Sequence, residues 1–474
     1  MKKYIIYLVF VNLIVIGCKQ KPQDVSRNHT KITKKKRPNV LFLLADDLGY
    51  GELGAYGQKT IKTPFLDSLI GQSMKFTNFY AGSAVCAPSR AVLMTGKSSS
   101  INTIRGNNGL MPNGRGGRIA LRKDEVTLGE MMTDAGYETA FIGKWHLGDP
   151  DDVSTWAHGR GFSYAVQEQW SNKRNKKNFD GPMEYINGMK DSIYFDWTKW
   201  QSHDEYRTDL ALKYLDKKES DKPFFLFMSY RAPHGHEKVI GNKTLYTEKG
   251  WKEPNRLHAT QITLLDSYID RLLKKIDTMG ELDNTLIFFT SDNGPHSEGN
   301  GHDHEFFESN GVLNGFKRDV YEGGIRVPFF AYWKGKIIPG SVSKHMGSGQ
   351  DFMPTLAEIV GIKVPEQSNG ISFLPTLIGK EQPKHEYLNV EGFFSGKNAF
   401  RQSIRYGDLK GVRYGADNPV EIYDLSKDIA EEHDVANQYP DLVTKIETFF
   451  KEERTNPSTY PYGGFHYKKS KNKN

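Results

Sequence analysis

Four short apolar runs each stop at a cluster of polar residues, and this pattern constrains the fold more than any other feature of the chain. Val40-Leu41-Phe42-Leu43-Leu44 runs out at Asp46-Asp47, and Thr139-Ala140-Phe141-Ile142 at Gly143-Lys144. Phe224-Phe225-Leu226-Phe227-Met228 ends at Ser229-Tyr230, and Leu286-Ile287-Phe288-Phe289-Thr290 at Ser291-Asp292-Asn293. Unbroken runs of this length suit strands buried on both faces. Stretches of helical character lie between them, at about 64–74, 124–135, 205–218 and 256–279. In the last, Leu257, Ile262, Leu265, Ile269, Leu272 and Ile276 keep one apolar stripe. Strands alternating with helices predict an α/β fold, a large mixed, mostly parallel sheet sandwiched by helices. In such sheets the site lies at the carboxyl ends of the strands, so the polar clusters can converge although far apart in sequence.

The texture changes near residue 385. Strand-like pieces at 386–393, 401–406, 409–414 and 420–424, then a helix at about 439–454, predict a smaller C-terminal antiparallel sheet with one packing helix. The expected division is a catalytic domain over 38–378, an α+β subdomain over 379–467, and a disordered basic tail over 468–474. A chain of 474 residues, 37% hydrophobic and 26% charged, has room for both and is not disordered throughout. Its two cysteines, Cys18 and Cys86, exclude a disulfide scaffold and a multi-cysteine zinc site. The formal charge of +7 misleads: taking away +2 for residues 1–17, +7 for 18–37 and +4 for 468–474 leaves −6 for 38–467. With a mildly acidic body the overall charge implies no basic nucleic-acid-binding face, and no nucleic-acid partner is expected.

Lys2 and Lys3 precede an apolar stretch from Tyr4 to Ile16, too short to span a bilayer comfortably, which reads as a signal peptide over 1–17. Val15-Ile16-Gly17-Cys18 resembles a bacterial lipobox, which implies cleavage before Cys18 and a lipid anchor on its thiol. A plain secretory signal with an incidental cysteine is the other reading. Residues 18–37, ending Lys34-Lys35-Lys36-Arg37, read as a basic flexible tether. The expected location is a bacterial cell envelope, on the periplasmic face or at the cell surface of the outer membrane.

Asp46, Asp47, Asp292 and Asn293 together make an all-oxygen donor set, suited to a hard cation such as calcium or magnesium rather than zinc. In Cys86-Ala87-Pro88-Ser89-Arg90, Pro88 suits the first turn of a helix and puts Cys86 at its amino end. The bare residues leave two readings there, a thiolate of lowered pKa or a buried structural cysteine.

Cys86, Pro88, Ser89, Arg90, Leu93, Thr95 and Gly96 resemble the C-x-P-S-R-x-x-L-x-T-G signature of type I sulfatases, of the alkaline phosphatase superfamily and arylsulfatase A-like. Pro38 to Gly51, Gly143-Lys144-Trp145-His146, Ala232-Pro233-His234, Ser291-Asp292-Asn293-Gly294 and Lys317 with Tyr321 to Pro328 follow in family order, and Glu421-Ile422-Tyr423-Asp424-Leu425 resembles the family's C-terminal subdomain. The resemblance implies that a maturation enzyme oxidises Cys86 to formylglycine, an aldehyde that hydrates to a diol. It implies one calcium ion on Asp46, Asp47, Asp292, Asn293 and an oxygen of the modified Cys86. It further implies that one diol hydroxyl would attack sulfur, that Arg90 would orient the formylglycine while Lys144 and Lys317 bind sulfate oxygens, and that His234 would protonate the departing oxygen while His146 takes a proton from the remaining hydroxyl to eject sulfate.

One departure from the family pattern is His236, where proline often stands; it is expected in the pocket wall. His302-Asp303-His304, with no third ligand evident nearby, reads as a substrate-facing or solvated loop, with His302 as its binding candidate. The irregular segment 149–205, with Trp156, Trp170, Trp197 and Trp200, offers aromatic faces for sugar rings, Trp170 among them; packing into the core is the alternative. The expected substrate is a sulfated carbohydrate. A phosphatase or phosphodiesterase of the same superfamily, and a non-catalytic glycan-binding lipoprotein, are the competing readings.

Overall fold

The computed structural model describes residues 1, 36–110, 116–169, 183–189, 192–193, 199–218, 221–235, 239, 244–296, 301–394, 398–452 and 454–455. Apart from Met1, Lys36 and Arg37, the expected signal peptide, lipobox and tether lie outside the described residues, as do His236, Trp170, Trp197 and the basic tail. Contacts divide the chain into Met1–Lys36 and Arg37–Asn474, and the architecture below is that of the second unit.

Asn39–Asp46 forms the strand around which the sheet is built. It pairs in parallel with Thr285–Ser291 on one side and with Phe224–Pro233 on the other, and Glu138–Lys144 pairs in parallel with the latter. These four are the predicted apolar runs, and they lie side by side in a ten-stranded mixed sheet whose flanks carry the antiparallel pairings. Their lack of polar alternation has a direct cause: both faces are covered. Val40, Phe42 and Leu44 point into one core, with Phe288, Phe329, Phe352 and Phe373. Leu41, Leu43 and Ala45 point into the other, against the helices His203–Lys217 and Glu253–Thr278. The predicted stripe on the long helix is buried there, with Ile262, Leu265, Ile269, Leu272 and Ile276 all at 0% exposure.

A separate four-stranded antiparallel sheet runs Leu388–Phe393, Phe400–Tyr406, Leu409–Tyr414 and Glu421–Asp424, and the helix Pro440–Glu452 buries Ile446 and Phe450 against it. A buried charge cluster attaches this sheet to the body. Lys410 Nζ lies 2.9 Å from both Glu322 Oε1 and Glu431 Oε1, while Arg326 Nη1 and the Tyr80 hydroxyl donate to Glu322 Oε2 at 3.1 and 2.7 Å. Arg401 adds bonds to the Arg318 carbonyl and to Asp319 Oδ1, at 2.6 and 2.9 Å. The segment bearing Lys317 is thereby held from behind.

Removing one partner of a buried pair leaves an uncompensated charge. Lys410→Met is expected to cost about 3–5 kcal/mol of stability in urea unfolding; a loss below about 1 kcal/mol, the range of exposed pairs, would contradict this account of the attachment.

Candidate active site

Strand register brings the predicted residues together. Ala45 pairs with Ser291, which sets Asp46-Asp47 beside Asp292-Asn293. On the other side Leu44 pairs with Ser229, the register then slips, and Asp46 comes opposite Pro233, one residue before His234. Ser229 pairs with Gly143, leaving Lys144 at the neighbouring strand end. The approach here demands glycine: Gly143 has φ 118°, and a Cβ on it would sit 1.9 Å from the Ser229 carbonyl oxygen. Asp47 and His146 adopt φ 68° and 61°, left-handed backbone that such residues rarely take and that recurs at functional sites.

The helix Cys86–Thr95 opens on Cys86 over this point, with Pro88 in its first turn as expected. Cys86 Sγ lies 3.5 Å from Asp46 Oδ1 and 3.8 Å from Asp47 Oδ1. Asp46, Asp47, Cys86 and Asp292 each offer an atom within 4.8 Å of the others, and all four are buried. Three cations balance the carboxylates. Lys144 Nζ donates to Asp46 Oδ2 at 2.6 Å, Lys317 Nζ to Asp47 Oδ2 at 2.8 Å, and Arg90 Nε to Asp292 Oδ2 at 2.8 Å. Arg90 is itself fixed, its Nη1 donating to the Lys144 carbonyl and to Ser229 Oγ, each at 2.6 Å.

The electrostatics divide the carboxylates. Burial works against charge on Asp46, yet the Lys144 ammonium, with the Arg90 guanidinium, holds its carboxyl well below the usual range. Burial and then the Asp46 charge push Asp292 up. Burial also pushes the Cys86 thiol up to about 12 in spite of Lys144 and Lys317. The thiolate reading of Cys86 is therefore corrected: the helix terminus does not offset complete burial beside carboxylates.

His234 Nε2 stands 3.6 Å from Asp47 Oδ2. Burial drives both His234 and His146 well below the ordinary histidine range, and for His146 the neighbouring Arg118 and Lys144 act in the same direction. His146 Nδ1 is buried without a hydrogen-bond partner among the described residues. Several supporting residues escaped sequence reading. Asp204 accepts from the Arg231 and Ala232 amides at 2.9 and 2.8 Å and so fixes the backbone leading to His234. Arg118 stands near His146, and nothing in its local sequence marks it; Ser229, at the end of its apolar run, braces Arg90.

Whether the cluster suits a cation can be judged from Asn293. Its Nδ2 donates to Asp47 Oδ1 at 2.8 Å, while its Oδ1 is buried and has no hydrogen-bond partner among the described residues. A buried acceptor beside three carboxylates, with only oxygen donors from side chains other than Cys86, fits a hard divalent ion.

Other sequence expectations fall elsewhere. His302 does not lie on a solvated or substrate-facing surface: it is 5% exposed and stacks on His258, because the loop turns inward against the long helix. Asp303 is exposed and does not join it. Trp156 is 2% exposed, its Nε1 donating to the Asp149 carbonyl at 2.8 Å, so it is a core residue and not a sugar platform. Trp200 is half-buried and bonds Asp209 Oδ2 at 2.7 Å.

Residues 38–362 match the family model for sulfatases, and 313–456 match a model described as N-sulphoglucosamine sulphohydrolase, C-terminal. The chain belongs to the sulfatase family, arylsulfatase A-like and within the alkaline phosphatase superfamily, and is a sulfuric ester hydrolase. It is 27% identical to an N-acetylgalactosamine-6-O-sulfatase of Bacteroides thetaiotaomicron, over 93% of this chain and 97% of that one. It is 30% identical to arylsulfatase A of Bos taurus, over 85% and 84% of the two chains. The solved structure of Ps i-CgsB superposes with a TM-score of 0.75 at 26% identity, covering 88% of this chain and 92% of the other.

Gly143→Ala is expected to destabilise by at least about 1–3 kcal/mol, the usual cost of a disallowed backbone region. Thermal unfolding measures it, and a change within about 0.5 kcal/mol would show that Gly143 does not set the Lys144 strand end.

Proposed function

We propose that the chain hydrolyses O-sulfate esters on a sugar of a sulfated glycan, with Cys86 matured to formylglycine and one calcium ion held by Asp46, Asp47, Asp292 and Asn293. The observation that carries this reading is the convergence of three buried carboxylates and the unpartnered Asn293 Oδ1 around the buried Cys86, with two lysines and two histidines at the rim. Similarity over nearly the full chain to an N-acetylgalactosamine-6-O-sulfatase supports a sugar sulfate as substrate.

A hydrated aldehyde at Cys86 would supply a hydroxyl nucleophile and a second hydroxyl whose deprotonation releases sulfate, and a calcium ion held by Asp46, Asp47, Asp292 and Asn293 would supply positive charge that favours the ionised nucleophile and the bound sulfate. The chain's own groups do the rest. Lys144 and Lys317 present ammonium groups that bind sulfate oxygens, and Arg90 fixes the floor beneath residue 86. His146, held neutral by burial, is a base ready to take a proton. His234 is the acid for the departing sugar oxygen. Burial keeps it neutral in the free site, and the charge of Asp46 together with that of the arriving ester draws a proton onto it. A maturation enzyme is the required partner. The amino terminus supports placement as a lipoprotein of the bacterial cell envelope, anchored to the membrane at Cys18.

Sulfate release from a panel of defined sulfated saccharides tests the reading. Cys86→Ala is expected to reduce release to background, while His234→Ala lowers kcat by about a hundredfold to ten-thousandfold on sugar sulfates. The His234→Ala loss is smaller on aryl sulfates, whose phenolate leaves without an acid. Release from aryl sulfates alone, or phosphate esters turned over faster than sulfates, would refute the proposal. Calcium at about a hundred times its Kd is expected to stabilise the chelator-treated chain by about 2.7 kcal/mol, and Asn293→Leu to remove most of that gain. Equal stabilisation of this variant would contradict the assigned site.

A further inference from the structure

Behind His234 three more histidines meet. His258 lies on the long helix Glu253–Thr278, His296 follows the Asp292-Asn293-Gly294-Pro295 turn, and His302 lies on the next loop. Their exposures are 0%, 0% and 5%, and one ring nitrogen of each lies within 4.8 Å of one from each of the others. The His296 ring is 6.0 Å from that of His234, so the cluster adjoins the sulfatase site without sharing its carboxylates.

Hydrogen bonding sets two of the tautomers. His258 Nε2 is 2.6 Å from Glu52 Oε1. Burial opposes charge on Glu52, yet His258, the Gly49 amide and Ser309 hold its carboxyl below the usual range, so it is an ionised acceptor. His258 therefore carries a proton on Nε2. His296 Nε2 is 3.1 Å from the Pro233 carbonyl oxygen, which also only accepts, and its proton sits on Nε2 as well. The other ring nitrogen of each is then Nδ1. For His258 that atom is buried and has no hydrogen-bond partner among the described residues. Imidazoles that bind metals usually donate their other N–H to a carboxylate or a carbonyl, the arrangement made here by Glu52 and Pro233. Burial pushes His296 and His302 below the usual histidine range and keeps them neutral, the form in which they are ligands.

We propose that His258, His296 and His302 form a second metal site, for a borderline transition ion of the zinc class, separate from the calcium-type carboxylate cluster. All-imidazole donors favour zinc, copper or nickel over calcium and magnesium. The His302 ring lies flat on His258, with centroids 3.8 Å apart and 3° between planes. Binding requires His302 to tilt on its loop while the long helix holds His258 in place. The ion would clamp three segments: the helix, the turn after Asn293 and the inward loop. The inference rests on these residues alone and stands or falls independently of the substrate reading.

The test uses the full chain, stripped of metal and then saturated with calcium to fill the oxygen site. Titration with cobalt(II) is expected to give one bound ion per chain with the visible absorption of low-coordinate nitrogen ligation, displaced by zinc. Elemental analysis after dialysis against zinc should give one zinc per chain. His302→Ala, folded by circular dichroism, is expected to lose affinity by about tenfold or more; His296→Gln serves the same purpose if that variant does not fold. Absence of the cobalt band in the calcium-loaded wild type, or an unchanged band in a folded variant, would overturn the site.

Discussion

The structure depends on holding three carboxylates in one dry place. Asp46, Asp47 and Asp292 come within 4.8 Å of one another and of Cys86, away from water. Two such charges at about 4 Å repel by about 4 kcal/mol at the effective dielectric of a protein near its surface. The cluster is tolerable only because Lys144, Lys317 and Arg90 lie against it. Those cations come from a strand end, a loop and a helix distant in sequence. The fold must therefore be complete before the charges balance, and the balanced site in turn ties the sheet, the Cys86 helix and the Lys317 segment together. The same crowding supports a divalent ion and keeps an unmodified Cys86 a thiol.

A second charge cluster extends the support outward. Glu322, in the short helix after Lys317, is held by Lys410 of the C-terminal sheet, by Arg326 and by Tyr80. Arg401 of the same sheet bonds the residues that follow Lys317. The antiparallel sheet thus braces the segment that delivers one of the two sulfate-facing lysines.

Much of this was legible in the sequence, for a physical reason. Strands buried on both faces read as unbroken apolar runs, and site residues follow immediately at the strand ends, so Asp46-Asp47, Lys144 and Asp292-Asn293 announced both the sheet and its active edge. The helical stripe from Ile262 to Ile276 was as plain. What sequence hid was convergence between remote segments. Cys86 could be placed at a helix start, but nothing local shows the burial, and the carboxylates after it, that raise its pKa. The meeting of His258 with His302 was hidden because His258 belongs to a helix far upstream, and because one buried histidine on an apolar face looks like any other. Asp204 reads as an ordinary acidic residue in a helix's first turn, although it braces the strand before His234. Trp156 reads as either sugar platform or core residue, because aromatic composition cannot distinguish a face turned outward from one turned in.

The most direct measurement is hydrolysis of a sulfated sugar in water enriched in oxygen-18, followed by mass analysis of both products. Attack on sulfur from the Cys86 position predicts solvent oxygen in the released sulfate and an unlabelled sugar hydroxyl. Solvent label in the sugar hydroxyl would mean attack on carbon, and would contradict the assignment of the carboxylate-ringed Cys86 as the origin of the nucleophile.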